Sequence, residues 1–181
     1  MSKILLIFAH PSPNRSKINR QLYCVANKLN HVATRDLYEL YPNLSIDVDA
    51  EHEAILRADV LVFLFPVFWF SAPSLLKEWM DTVLTNGFAY GDGGTALEGK
   101  KFMLAVSSGG SAESYTSVGL HGAEIETYLA PFYQTARYCK MDLTEPFISF
   151  GGRSLDADAI QQVISDFEAR LCELGGVTDA S

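Results

Sequence analysis

Val60-Leu-Val-Phe-Leu-Phe65 is an unbroken apolar run, closed by Pro66. Because it does not alternate with polar residues, it is not a strand with one wet face. A run of this length between turn formers reads as a strand buried on both sides, as in a parallel sheet. Ile4 to Ala9 and Lys101 to Val106 have the same character. Val32 to Leu37 and Phe147 to Phe150 read as shorter strands. Helical spacing fills the gaps. Ile18, Leu22, Val25, Ala26 and Leu29 recur on one face, with Ser16 as N-cap. Asp47 to Ala58 reads as a helix with acids in its first turn, and Pro73 opens another that runs to Leu84. His121 to Tyr138 is expected to be helical and interrupted or kinked at Pro131, and Asp156 to Leu174 is an amphipathic closing helix. Tyr38 to Ser45 and the glycine-rich stretch Asn86 to Gly99 read as loops. Strand and helix alternate from end to end, which predicts an α/β fold: a doubly wound parallel sheet with right-handed crossovers. One domain is expected over 1–175, with a loose tail at 176–181.

Composition narrows the function. The 181 residues carry 14 Lys and Arg against 22 Asp and Glu, a net charge of −8. Such acidity argues against nucleic-acid partners, which need a basic footprint. At 48% apolar the chain can bury a core, which excludes disorder. No apolar run approaches the about 20 residues of a membrane span. Nor does the start have a secretory pattern, so a cytoplasmic protein is expected. Cys24, Cys139 and Cys172 form no CxxC pair and read as buried apolar residues. His31 and His52 sit in no motif and read as solvated. The acidic run Asp47 to Glu53 reads as a solvated helix start. No metal-ligand spacing, G-x-S-x-G elbow or P-loop is present in the sequence.

In an open parallel sheet, ligands bind beyond the carboxyl ends of the strands, at the point where strand order reverses. Three loops leave those ends. The first, His10-Pro-Ser-Pro-Asn-Arg-Ser-Lys-Ile-Asn19, enters a helix N-terminus and carries Arg15, Ser16 and Lys17, groups suited to a phosphate. Taken alone, it reads more simply as a polar turn and a cap. His10 is either a cofactor contact or a capped loop histidine. The second loop, Pro66-Val-Phe-Trp-Phe70, offers an aromatic wall for a flat ring, or else filler for a core or subunit interface. The third, Ser107-Ser-Gly-Gly110, lets backbone amides approach a heterocycle. Phosphate, aromatic wall and amides together describe a flavin mononucleotide site.

The motifs then become recognisable. Ala9-His-Pro11 with Ser16 and Asn19, Phe65-Pro-Val-Phe-Trp-Phe-Ser-Ala-Pro73, Leu75-Leu-Lys-Glu-Trp-Met-Asp-Thr-Val83, Gly87-Phe-Ala-Tyr-Gly91 and Ser107-Ser-Gly-Gly110 span most of the chain. On them the sequence resembles the flavodoxin-like NAD(P)H:quinone oxidoreductases. Within these it is similar to the short bacterial ancillary proteins of glutathione-regulated potassium-efflux systems. The resemblance implies a five-stranded flavodoxin-like sheet of order 2-1-3-4-5. It implies flavin contacts from His10, Ser16, Lys17, Ile18 and Asn19, from Pro66, Val67, Phe68, Trp69 and Phe70, and from Ser107, Ser108, Gly109 and Gly110. It further implies that Tyr115 and His121 assist hydride transfer, and that Phe88 and Tyr90 line the quinone side, Tyr90 across a dimer. Against the mammalian-type enzymes the first loop is one residue longer and the long C-terminal extension is missing, which favours FMN over FAD. The implied partners are NADH or NADPH, a quinone, a second copy of the chain, and a potassium-efflux antiporter at the inner membrane. The implied reaction is two-electron and ping-pong. Acidity would also suit a flavodoxin-type electron carrier, but the Thr- and Ser-rich flavodoxin phosphate loop is missing and the aromatic wall is large.

Overall fold

A computed structural model describes residues 1–152 and 154–177. The strands are β1 (Ile4–Phe8), β2 (Val32–Asp36), β3 (Val60–Pro66), β4 (Lys101–Ser107), β5 (Asp142–Leu143) and β6 (Phe147–Ser149). The helices are α1 (Asn19–Ala26), α2 (Leu37–Leu40), α3 (Val48–Leu56), α4 (Ser74–Val83), α5 (Ile125–Tyr138) and α6 (Ala157–Gly175). All pairings are parallel, in the order β2-β1-β3-β4-β5, with β6 also on β4.

The central strands are apolar throughout because both faces are covered. Leu5, Ile7, Leu61, Phe63, Phe65, Phe102, Leu104 and Val106 pack on one side against Trp79, Leu129 and Phe132 of α4 and α5. Their alternates Ile4, Leu6, Phe8, Val62, Leu64 and Met103 pack on the other, against Leu22 of α1 and Phe167 and Leu171 of α6. Register brings the carboxyl ends level: Phe8 lies opposite Leu64, Pro66 opposite Ser107, and Ser107 opposite Ser149. Every loop leaving those ends emerges on one rim.

Several expectations are corrected. The fifth position of the sheet holds two short strands, because Pro146 and its neighbours break the edge between β5 and β6. α1 begins at Asn19 with Ile18 at its N-cap, so Ser16 does not cap it, although the Ser16 hydroxyl accepts from the Arg20 amide at 3.4 Å. A short helix, α2, occupies part of the stretch read as a loop, started by Asp36, whose carboxylate accepts from the amides of Tyr38 and Glu39. α5 starts at Ile125, leaving His121 in a turn, and runs uninterrupted past Pro131. Gly176 adopts φ +64° and closes α6, with Val177 N–H donating to the Cys172 carbonyl. The rest of the expected tail, 178–181, lies outside the described residues.

The acidic run is not wholly solvated. Glu51 is 0% exposed. Its carboxylate accepts from Arg35 Nε at 3.0 Å and Trp79 Nε1 at 2.9 Å, and also from Arg35 Nη2 and the Tyr41 hydroxyl. A buried carboxylate survives only with such partners. Burial, then the hydrogen bond with Glu51, pushes the Tyr41 phenol up to about 12. His31 is buried, with Nε2 donating to the Leu171 carbonyl at 3.2 Å. His52 donates from Nε2 to the Val83 carbonyl at 2.8 Å and stacks on Phe88. Of the cysteines only Cys139 is buried; Cys24 is exposed. Among the described residues, no helix is long and apolar enough to cross a membrane, and no cluster of His, Cys, Asp and Glu could hold a metal ion.

Candidate functional site

Two cavities open side by side on the rim. The first, of about 500 Å³, is lined by His10, Arg15, Ser16, Lys17, Ile18 and Asn19 from the β1 loop, with Pro66, Val67 and Phe68 from the second loop and Ser107, Ser108 and Gly109 from the third. The second, of about 540 Å³, is lined by Val67 to Phe70, Ser108 to Gly110, Tyr115, Leu120 and His121. Val67, Phe68, Ser108 and Gly109 belong to both, so the two are lobes of one cleft. Every residue expected to touch the cofactor, and both expected to assist hydride transfer, lie along it.

The first lobe suits an anion. At the start of α1 the amides of Ile18 and Asn19 have no hydrogen-bond acceptor among the described residues. Arg15 and Lys17 stand at the same end, where the helix dipole adds positive potential. His10 is buried and its Nδ1 accepts from the Ser12 amide at 3.0 Å, so its proton sits on Nε2. Burial lowers its pKa below the ordinary 6.5, which keeps the ring neutral. The Asn19 side chain is 2% exposed and donates from Nδ2 to Ser107 Oγ at 2.6 Å. Its Oδ1, and the buried Ser149 Oγ on the same rim, have no partner among the described residues. A buried acceptor left unsatisfied is costly and points to a donor on a ligand.

The second lobe is aromatic and strained. Phe68 and Ser71 exchange both backbone hydrogen bonds, at 2.9 and 3.1 Å, around a two-residue turn. The turn holds Trp69 at φ +49° and Phe70 at φ +63°. Hairpin turns of this hand ordinarily take Gly or Asn, and bulky residues there cost about 1–3 kcal/mol each. The strain leaves Trp69 94% exposed and the amides of Trp69 and Phe70 without partners among the described residues. Phe70 packs against His121 and Tyr128 at ring distances of 5.3 and 4.9 Å.

In the third loop, fewer amides are open than expected. The Ser108 amide donates to the Ser149 carbonyl at 2.8 Å, and the Gly110 amide to Ser108 Oγ at 3.0 Å. Gly109 N–H alone of these three has no acceptor among the described residues. Tyr115 lies 4.4 Å from His121, ring to ring. His121 is fixed by its own backbone: its amide donates to the Ser114 carbonyl, and its carbonyl accepts from the Tyr128 hydroxyl at 3.0 Å.

Phe88 and Tyr90 do not line either lobe of their own chain. Phe88 stacks on His52, and Tyr90 meets Tyr138 in a groove between α4 and α5. Trp69 and Phe70 therefore stand at the cleft, while Phe88 and Tyr90 stand apart from it. Sequence reading missed Gly152, Ser114 and Leu120. Gly152 follows the last strand, so the strand-end rule could have found it. Leu120 is an exposed apolar residue in a turn and has no sequence signal.

These features fit FMN: open amides and cations for a phosphate, an unpaired buried acceptor for a polyol hydroxyl, and an aromatic slot with a free amide for a ring. Residues 2–171 match the family described as flavodoxin-like fold. The chain is 43% identical over 168 residues to the glutathione-regulated potassium-efflux system ancillary protein KefF of Salmonella dublin, covering 93% of this chain and 94% of that one. Among solved structures it is similar to a thermophilic tryptophan halogenase from Streptomycin violaceusniger (TM-score 0.90, 34% identity, 92% and 97% of the two chains). It is also similar to general stress protein 14 of Treponema denticola in complex with FMN (0.88, 37%, 97% and 99%). A third likeness is to the NADPH-quinone reductase of P. pentosaceus (0.85, 28%, 99% and 99%). Strand order, rim geometry and the match over nearly its whole length agree: the chain belongs to the flavodoxin-like fold family and is a homologue of the KefF ancillary proteins.

Proposed function

We propose that the protein is an FMN-dependent NAD(P)H:quinone oxidoreductase, active as a cytoplasmic homodimer, that also serves as an ancillary subunit of a potassium-efflux antiporter at the inner face of the membrane. The observation that carries this reading is the joined cleft, with an anion-suited lobe opening into an aromatic lobe edged by Tyr115 and His121. Likeness to an FMN-bound protein, to a quinone reductase and to the KefF ancillary proteins supports it.

In this reading Ile18 and Asn19 amides, Arg15, Ser16 and Lys17 hold the phosphate. Asn19 and Ser107 take the polyol, and Val67 to Phe70 with Gly109 hold the ring. Bound FMN supplies two-electron hydride chemistry. The net reaction joins NAD(P)H, a quinone and one proton to give NAD(P)+ and the hydroquinone. Tyr115 and His121 edge the lobe where that proton is needed, and hold or donate it there. Trp69 and Phe70 exclude water from one wall. Phe88 and Tyr90 are assigned to the quinone side of the partner subunit's site, because they do not reach their own.

The test is direct. Purified protein is expected to be yellow, to release FMN on denaturation, and to show parallel initial-rate lines for NAD(P)H and quinone, since both use one open face. A colourless protein that takes up no flavin ends the reading, and intersecting lines end the shared face. Retention of an antiporter's cytosolic domain on the immobilised protein tests the ancillary role.

A further inference from the structure

One buried hydroxyl, on Ser108, links the third loop to Tyr115. Ser108 is 2% exposed, and its Oγ makes two hydrogen bonds. It accepts from the Gly110 amide at 3.0 Å. It donates its own hydrogen to the Tyr115 hydroxyl oxygen, also at 3.0 Å. An amide can only donate, so the Ser108 oxygen takes the acceptor role there. With the serine hydrogen committed to the phenol oxygen, the phenol's own hydrogen has to point elsewhere. Among the described residues it has no acceptor. Tyr115 is itself buried and is packed by His121, Phe150 and Tyr128 at ring distances of 4.4, 5.7 and 6.1 Å. The ring cannot swing away, so only the hydroxyl rotor is left to be set. Tyr115 lines the aromatic lobe.

Gly110 lies where Ser108, Tyr115 and His121 come together. A Cβ at Gly110 would lie 3.4 Å from His121 Nε2, 3.4 Å from Tyr115 Cε2 and 3.6 Å from Ser108 Oγ. Its φ is not in the left-handed region and these are ordinary van der Waals distances, so they show only how closely the three side chains approach this position. The three side chains converge on the one point where no side chain stands.

We infer that Ser108 is a positioning residue: its hydroxyl fixes the Tyr115 rotor so that the phenol hydrogen is presented to the aromatic lobe. This deepens the proposed function and rests on it for the identity of what fills the lobe. Preorganised donors of this kind need no reorientation when charge develops on a ligand.

The test is a double-mutant cycle on the FMN-loaded protein with Ser108→Ala, Tyr115→Phe and the pair, and with Ser108→Thr as rescue. Two readouts are used: the midpoint potential of the bound flavin by reductive titration, and the rate of its reduction by NADPH. FMN affinity is followed by fluorescence titration in every variant, so that a change in loading is kept apart from a change in potential or rate. Ser108→Ala is expected to move the potential in the same direction as Tyr115→Phe and to slow reduction roughly tenfold. Ser108→Thr is expected to restore both. In the Tyr115→Phe background, Ser108→Ala is expected to add nothing. A wild-type potential in Ser108→Ala, or a loss that persists on the Phe background, overturns the inference. Wild-type protein that binds FMN but is not reduced by NAD(P)H overturns the functional reading, while the potential cycle still judges Ser108. Wild-type protein that takes up no FMN overturns both.

Discussion

His10 shows how one side chain is set by its surroundings. Burial lowers its pKa, and the Ser12 amide occupies the nitrogen that would otherwise gain the proton. Its folded-state pKa lies below the unfolded 6.5, so the unfolded chain binds protons first as pH falls. The stability tied to the neutral ring is complete above the unfolded value and is lost on acidification below it. Thermal melts of His10→Gln should therefore fall less steeply than wild type as pH drops from neutral toward the carboxylate range; equal slopes would show that His10 carries no such linkage. His121→Ala is expected to slow reduction by NAD(P)H by about a hundredfold with FMN occupancy retained. An unchanged reductive half-reaction would remove His121 from the proton's path. Legibility at this scale divided cleanly. His10 and Gly109 were readable because a rule about strand ends names positions, and Asn19 because the family resemblance does. Glu51, His31 and His52 were not, because their partners stand 16, 140 and 31 residues away in Arg35, Leu171 and Val83.

At the scale of elements, the β3–α4 turn has traded stability for placement. Trp69 is held in the left-handed region with almost no burial to offset it. In the isolated monomer, Trp69→Gly is expected to raise unfolding stability by about 1 kcal/mol, and in the assembled protein to lower quinone turnover. Denaturant melts beside steady-state rates would check both halves, and a destabilised variant would mean the indole packs on something that offsets its strain. The Glu51 cluster has the opposite role, tying β2, α3 and α4 together through Arg35, Tyr41 and Trp79. Glu51→Gln leaves Arg35 without its counter-charge and should cost about 3 kcal/mol, lowering Tm by roughly 6–12 °C. A drop under a degree would show that solvent reaching Arg35 compensates. Strands were legible because double burial writes them as apolar runs. Helix starts were less so: Ser16 is a good cap by residue type, yet the chain needs Ile18 buried under the sheet, and α1 begins after it.

For the whole molecule, exposed Trp69 and Leu120 line the aromatic lobe, while Tyr138 and the α4–α5 groove lie elsewhere. A homodimer that covers the first group should sediment at twice the monomer mass, and Trp69→Glu should shift it toward monomer; unchanged mass would place the subunit contact away from the cleft. That the sheet is parallel and doubly wound was legible because strand and helix alternate; its strand order came with the family resemblance. The broken fifth position was not, because Asp142-Leu143 is too short to show a period. That break has a consequence of its own. Two stubs of two and three residues, separated by a proline, offer no continuous ladder to a stranger's strand. That margin of the sheet is thus a poor template for fibrillar growth, which leaves β2 on the far side as the continuous edge another strand could join.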